Sequence, residues 1–270
     1  MSSFREFERA GWEDSAVVAK YHECLSGVTT QSVDALLDAA GVRGGSRVLD
    51  VATGAGYVAG SAARRGADAV GIDFSVAQVQ MARESYPAVR FEQADAEALP
   101  FEPDTFDAVV NGFGMCHLPN PDVALREACR VLKHGGRVAF SVWETPERAV
   151  GFGALYAAIR AHGSMDVGIP AGPNFFLFSD PEQSIKALRD AGFVSPSCRQ
   201  VSQVWRAADP DEFFAVVAEG TVRAAATLRA QSPRAREAIR KALRDTVSAY
   251  KRGDHFEVPM PAVVATAVKP

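Results

Sequence analysis

A chain of 270 residues, 47% hydrophobic and 23% charged, has the composition of a soluble globular protein. It is long enough to build a core without metal or disulfide staples. Its 29 basic and 33 acidic residues leave a formal charge of −4. That balance excludes a protein made mainly to coat nucleic acid, because neutralising phosphates needs a net positive face. Cys24, Cys116, Cys129 and Cys198 are scattered, with no C-x-x-C pair. Neither a disulfide framework nor a metal site is expected. The opening MSSFREFERAGWEDS is charged throughout and has no apolar secretory core. No run approaches the roughly 18–20 apolar residues of a membrane span. The expectation is a cytoplasmic protein, monomer or homodimer, with a small-molecule partner and no nucleic acid.

In chain order, an N-terminal segment containing Tyr21 and His22 reads as helical, and Thr30 and Gln31 precede a helix over Ser32–Ala40. Arg47–Ala52 is an apolar strand ending in the turn Thr53-Gly54-Ala55-Gly56. An Ala-rich helix is predicted over Tyr57–Arg65, with Gly66 beyond its end. Ala69–Asp73 is a second strand. Ser75 can cap a helix that runs to about Tyr86, where Pro87 stops it. Val89–Ala94 and Phe106–Asn111 are the third and fourth strands. A helix over Asp122–Lys133 and a turn at His134-Gly135-Gly136 lead into a fifth strand, Arg137–Trp143. Strands alternating with helices imply right-handed crossovers and a parallel sheet.

After Trp143 the pattern loosens. Residues 146–178 are rich in Gly and Pro and carry the run Phe175-Phe176-Leu177-Phe178. A capped helix is predicted over Ser179–Gly192, a strand over Ser197–Arg206, Ala- and Arg-rich helix over Asp209–Arg252, and a last strand over Val263–Val268. The strand, helical insert and returning strand fit a terminal antiparallel pair whose connection forms a helical cap. The expected fold is therefore α/β: a Rossmann-like, mostly parallel seven-stranded sheet with helices on both faces, its last strand antiparallel. Its expected segments are residues 1–40, 41–145 and 146–270: a helical lid, a cofactor-binding core, and cap insertions with the closing strand pair.

In such a sheet ligands sit outside the carboxyl ends of the strands. Gly54-x-Gly56-x-x-Ala59 follows a strand and opens a helix, where backbone N–H groups and the helix dipole meet a ligand. It satisfies the dinucleotide pattern G-x-G-x-x-[GA], so an NAD(P)-dependent oxidoreductase is one reading. Asp73, 17 residues beyond Gly56, ends the next strand, where an acid accepts ribose hydroxyls. Asp50 points toward the turn. A carboxylate there repels a pyrophosphate but suits an ammonium or sulfonium cation. Asp95 ends the third strand, in reach of an adenine amine. No Tyr-x-x-x-Lys pair of a short-chain dehydrogenase follows the fourth strand.

The runs VLDVATGAGYVA, GIDFS, QADAEALPFEPDTFDAVV and RVLKHGGRVAFSVW, in this order, resemble the class I S-adenosylmethionine-dependent methyltransferases. They are closest to the ubiquinone/menaquinone-pathway group, and the resemblance covers about residues 42–145. It implies S-adenosylmethionine as cofactor and S-adenosylhomocysteine as product. By resemblance, Asp50 and the backbone of Ala52, Gly54 and Gly56 hold the methionine part. Asp73 accepts both ribose hydroxyls and Phe74 packs on the adenine. Asp95 takes the adenine amine, and the Ala96 N–H donates to a ring nitrogen. The Asn111 carbonyl, with Gly112 and Phe113, closes over the ammonium. Tyr21 is a lid contact. The common pattern has Gly where this chain has Ala52.

His117, just past the fourth strand, is the candidate general base, its ordinary pKa suiting proton removal from a phenol, hydroxyl or ring nitrogen; the other reading is a wall residue. Trp12, Trp143 and Glu144 are further candidates. Between Thr221 and Arg252 nine basic and two acidic residues give a local net of +7, which suggests either a solvated face or attraction for an anionic substrate or acidic surface. The expected activity is methyl transfer to oxygen or nitrogen of a ring compound, with carbon methylation of an activated ring or isoprenoid-type substrate close behind. A cofactor-binding protein without turnover is a further alternative.

Overall fold

The computed structural model describes residues 3–270. In chain order the elements are α1 (Phe4–Glu13), α2 (Ser15–Thr29), α3 (Val33–Ala39), β1 (Arg47–Val51), α4 (Tyr57–Arg64), β2 (Asp68–Asp73), α5 (Val76–Ser85), β3 (Arg90–Gln93), β4 (Phe106–Gly112), α6 (Pro121–Val131), β5 (Leu132–Trp143), α7 (Val150–His162), α8 (Pro181–Asp190), β6 (Val194–Val201), β7 (Val204–Ala207), α9 (Glu212–Glu219), α10 (Arg223–Arg229), α11 (Pro233–Ser248), β8 (Lys251–Arg252), β9 (His255–Pro259) and β10 (Ala262–Val268). They fall into two compact units. One holds residues 29–143, 173–201 and 262–270; the other holds 3–28, 144–172 and 202–261.

The first unit is a seven-stranded sheet in the order β3-β2-β1-β4-β5-β10-β6. β10 runs antiparallel to both neighbours, and the pairs from β3 to β5 are parallel. Alternation along each strand feeds two cores. Leu49, Val51, Ile72, Val109 and Phe140 pack under α6 and α8. Val48, Val110, Ala139 and Val264 pack under α3, α4 and α5. The strand order reverses between β1 and β4, so their carboxyl ends flank the crevice where such sheets take ligands.

Local chemistry sets the boundaries. Ser75 caps α5 by accepting from the Gln78 N–H at 3.2 Å, as the sequence predicts. The helix expected from Ser179 instead starts at Pro181, capped by Asp180 accepting from the Glu182 N–H at 2.9 Å. The turn expected at His134-Gly135-Gly136 is absorbed into β5, whose register against β4 shifts between Phe106 and Ala108.

The second unit contains α1, α2, α7, α9, α10, α11 and a three-stranded sheet in the order β7-β9-β8. Three expectations change here. The strand predicted over Ser197–Arg206 is two strands: β6 pairs with β10, and β7 pairs with β9. The helix predicted to run to Arg252 is three helices ending at Ser248, followed by a β8–β9 hairpin. The Gly-rich stretch after Trp143 contains the 13-residue helix α7. The expected segments and the compact units also differ, in that residues 29–40 and 173–201 pack with the seven-stranded sheet. No helix among the described residues is long and apolar enough to cross a membrane.

Candidate functional site

Asp50 lies on β1 between Leu49 and Val51, so alternation turns it toward α4, opposite its neighbours. Its Oδ2 accepts from the Thr53 hydroxyl at 2.6 Å and from the Ala59 N–H at 2.9 Å. It thereby pins the glycine turn and caps the first turn of α4. Its Oδ1 is buried with no partner among the described residues. Burial raises the Asp50 pKa to about 7, against the lowering effect of its two hydrogen bonds. An orphaned buried acceptor costs roughly 1–3 kcal/mol.

Asp73 closes β2. Its Oδ2 accepts from the Gly54 N–H and its Oδ1 from the Ser75 N–H, each at 3.0 Å. Burial raises its pKa to about 6, countered by these bonds and by the nearby charge of His117. A carboxylate offers about four lone-pair sites. The N–H groups of Gly54, Ser75 and Phe74 all favour its ionised form here.

The turn itself demands glycine at position 56. Its φ is +84°, and a Cβ there would sit 2.8 Å from Phe91 Cζ. Ala52 sits at φ +53°, a left-handed conformation that costs an L-residue with a Cβ about 1–2 kcal/mol. Its methyl faces Gly114, where an added Cβ would lie 2.8 Å away. Ala52→Gly is therefore expected to stabilise the protein by about 0.5–1 kcal/mol, the relieved strain less the entropy glycine gains in the unfolded chain. Urea unfolding reads this directly; a loss of stability would mean that the methyl's packing outweighs the backbone strain.

Beyond β4 the chain is held by one side chain. Asn111 Nδ2 donates to the Val51 carbonyl at 2.8 Å, and its Oδ1 accepts from the N–H groups of Gly114 at 2.9 Å and Met115 at 3.0 Å. This ties the carboxyl end of β1 to the loop after β4. Phe113, at φ +59°, is buried and donates its N–H to the Ser141 carbonyl at 3.0 Å. Its ring lies 4.4 Å from that of Trp143. Strain in a bulky residue points to a functional constraint. Gly112 precedes it at the end of β4.

His117 ends a short 3-10 turn, Met115–His117. Its N–H donates to the Gly114 carbonyl at 2.9 Å, and its ring meets Phe175 edge-on at 5.9 Å. Phe175 in turn meets Phe176 at 5.0 Å. The Phe74 ring is half-buried, and its carbonyl is fixed by Gln93 Nε2 at 2.9 Å. Asp95 Oδ1 accepts from the Glu97 N–H at 2.9 Å, so the residue shapes a turn, and Ala96 beside it is buried. Tyr21 belongs to the other unit, where its ring meets Trp12 and His22, each at 5.2 Å. Trp12 and Glu144 are also in that unit. No cluster of metal-ligating side chains occurs among the described residues.

Three connections were missed by sequence reasoning: Thr53 to Asp50, the Gly54 N–H to Asp73, and the triple role of Asn111. Only the first left a trace, an acid three residues before a hydroxyl. The basic stretch is also less bare than its composition suggests. Arg223 pairs with Glu8, and Arg240 and Arg244 both pair with Asp211.

A glycine turn between a parallel strand and a helix, with buried carboxylates at neighbouring strand ends, defines an α/β protein that binds a nucleoside-bearing cofactor. The methyltransferase-domain family matches residues 49–140. The chain is 37% identical over 144 residues to the demethylmenaquinone methyltransferase of Beutenbergia cavernae, covering 52% of this chain and 60% of that protein. It is 30% identical over 191 residues to that of Paenarthrobacter aurescens, covering 66% of this chain and 75% of that protein. Among solved structures, the phosphoethanolamine N-methyltransferase 2 of Haemonchus contortus superposes over all of this chain and 61% of its own, with a TM-score of 0.61 at 19% identity. The [4+2]-cyclase SpnF superposes over 98% of this chain and 97% of its own, with a TM-score of 0.56 at 21% identity. These likenesses show the fold, on which a cyclase and a methyltransferase both occur. The chain belongs to the class I S-adenosylmethionine-dependent methyltransferases.

The residues present fit that cofactor. Asp50 Oδ1 is a buried acceptor without a partner among the described residues, and the Asp73 carboxylate stands beside it at the neighbouring strand end, tied to the glycine turn.

Proposed function

We propose that this protein transfers the methyl group of S-adenosylmethionine to a ring carbon of an electron-rich aromatic acceptor of the hydroquinone type. The observation that carries this reading is the His117 imidazole, set against the Phe175 ring on the turn that leaves β4. Likeness to a ubiquinone/menaquinone biosynthesis C-methyltransferase, 39% identical over 122 residues, favours carbon over the oxygen or nitrogen acceptor expected first. The bound cofactor supplies the electrophilic methyl carbon and leaves as a thioether.

The chain's own residues position and activate. Asp73 accepts the two ribose hydroxyls. Asp50 holds the turn in shape and places negative charge near the cationic methionine end. The backbone of Ala52, Gly54 and Gly56 lines that end, and Asn111, Gly112 and Phe113 form its other wall. Phe74 packs on the adenine, while Asp95 and the Ala96 N–H read its edge. A ring nitrogen of His117 takes the proton of the acceptor hydroxyl, which raises electron density at the adjacent carbon; after the methyl bond forms there, that carbon releases its own hydrogen as a proton and the ring hydroxyl is restored. The rings of Phe113, Trp143 and Phe175 exclude water.

Incubation with methyl-labelled cofactor and a reduced naphthoquinol is expected to give a carbon-bound methyl, stable to ether cleavage. A methyl ether as the sole product overturns the carbon assignment. Cofactor affinity should also depend on pH. The ionised Asp50 and Asp73 bind the cationic, hydroxyl-bearing ligand, and burial raises their pKa values to about 7 and about 6. Affinity is therefore full above about pH 8 and falls as pH drops through 7 to 5, by up to about tenfold per unit for each group. In the free protein the sign is opposite. Raised folded pKa values mean these two groups favour the fold most below their unfolded values near 4, and lose that contribution as pH rises to 7. Affinity that stays flat from about pH 5 to 8 contradicts their roles.

A further inference from the structure

Away from the carboxyl-end crevice, the amino ends of β1 and β5 border a polar groove of about 800 Å³. Two similar segments meet in its lining: Arg43-Gly44-Gly45-Ser46 before β1, and Lys133-His134-Gly135-Gly136-Arg137 within β5. Both segments carry a Gly-Gly pair beside arginine. No part of the methyl-transfer reading uses either one.

The charges in this groove do not cancel. It contains two acids. Asp38 is taken by Arg65 at 2.6 Å, and Asp107 by Lys133 at 2.7 Å and by the Arg47 N–H at 2.8 Å. Arg43 and Arg137 have no acidic partner among the described residues. The aliphatic stem of Arg137 lies over Gly41, 3.5 Å from where a Cβ would stand, which holds the side chain along the groove wall. Gly45 and Gly135, at φ +83° and +77°, have open space where a side chain would be, although their N–H groups are already given to the Gly66 and Lys269 carbonyls. The Gly44 N–H donates to no protein acceptor among the described residues. Two guanidinium groups without an acidic partner and one undonated N–H thus line the same groove. Guanidinium pairs with carboxylate or phosphate through two parallel hydrogen bonds, and an accessible N–H adds a third donor.

We propose that this groove is a binding site for a small organic polyanion bearing two or more phosphate or carboxylate groups, held by Arg43 and Arg137 and separate from the methyl-transfer crevice. Its volume accommodates a ligand of metabolite size. The proposal is independent of the acceptor's identity.

The test is calorimetric titration of the full chain with pyrophosphate and, separately, with citrate, the carboxyl-end crevice being kept saturated with S-adenosylhomocysteine. The two anions distinguish phosphate from carboxylate preference. The expected result is saturable one-site binding of at least one anion, weakened about tenfold or more in Arg43→Gln/Arg137→Gln. Each of these arginines is exposed, so the double variant is expected to fold, and an unchanged cofactor affinity in it verifies this. Absence of saturable binding of either anion at millimolar concentration, or equal affinity in the double variant, overturns the site.

Discussion

Replacing His117 by alanine is expected to lower turnover about 10²–10⁴-fold, the range for loss of a positioned general base. The cofactor dissociation constant should change far less. The backbone of this residue is set by its bond to the Gly114 carbonyl and its ring by Phe175, so the imidazole is placed independently of any ligand. The carbon of a hydroquinone is a weak nucleophile until the adjacent hydroxyl loses its proton, so the base has a step to act on. The kcat–pH profile of the wild type should then show an acidic limb that the variant lacks. A wall role gives the reverse split: a raised KM for the acceptor with kcat nearly intact. The His117 charge also favours the ionised form of Asp73, so part of any change in cofactor affinity would come through that carboxylate.

Replacing Glu8 by alanine is expected to destabilise the protein by about 3–5 kcal/mol, the scale for breaking a buried ion pair by removing one partner. Glu8 is 2% exposed. Both of its oxygens are engaged, one accepting from Trp12 Nε1 at 3.0 Å and the other from Arg223 Nε at 2.8 Å. The Arg223 guanidinium also stacks over Phe4, 4.3 Å from the ring centroid. Without the carboxylate, a largely buried guanidinium and an indole N–H both lose this charged acceptor. Urea unfolding of Glu8→Ala tests this, and Glu8→Ala/Arg223→Met should recover part of the loss because no unpaired charge then remains. A single-variant loss below about 1 kcal/mol would place the pair in the class of weak surface bridges.

The sheet unit was legible because its signals are local. Each strand end carries its own turn or cap, as at Gly54–Gly56 and Ser75, and apolar runs of buried parallel strands are hard to mistake. The other unit was legible only in part, for reasons of contact at long range. Alternation continues through Ser197–Arg206, yet the chain changes sheets at Gln203. There a buried amide donates to the Val28 carbonyl at 2.6 Å, and the Gln203 carbonyl accepts from Met260. Nothing in the alternation records that partner. Gly151 and Gly153 made α7 look irregular. Both sit where the helix touches a neighbour: a Cβ at 151 would fall 2.5 Å from the Phe213 ring, and one at 153 would fall 2.0 Å from the Pro146 carbonyl oxygen. The β8–β9 turn was marked by Gly253-Asp254, with Gly253 at φ +62°, but the charged helix before it masked the signal.

Within the site, the carboxylates Asp50 and Asp73 were readable from their places at strand ends. Their raised pKa values were not, because desolvation depends on the packed neighbours rather than on the local sequence. The strain at Ala52 and Phe113 was equally hidden. A residue with a Cβ gives no local sign of positive φ, which both adopt where the β1 and β4 ends come together.

Calorimetric titration of S-adenosylmethionine into the wild type and into Asp73→Ala tests the central claim, that an adenosyl cofactor lies across the β1 and β2 ends. One-to-one binding to the wild type is expected, with affinity about 10- to 100-fold weaker in the variant, the cost of losing charge-assisted hydrogen bonds to ribose. Equal affinity in both proteins, or no binding to either, contradicts it.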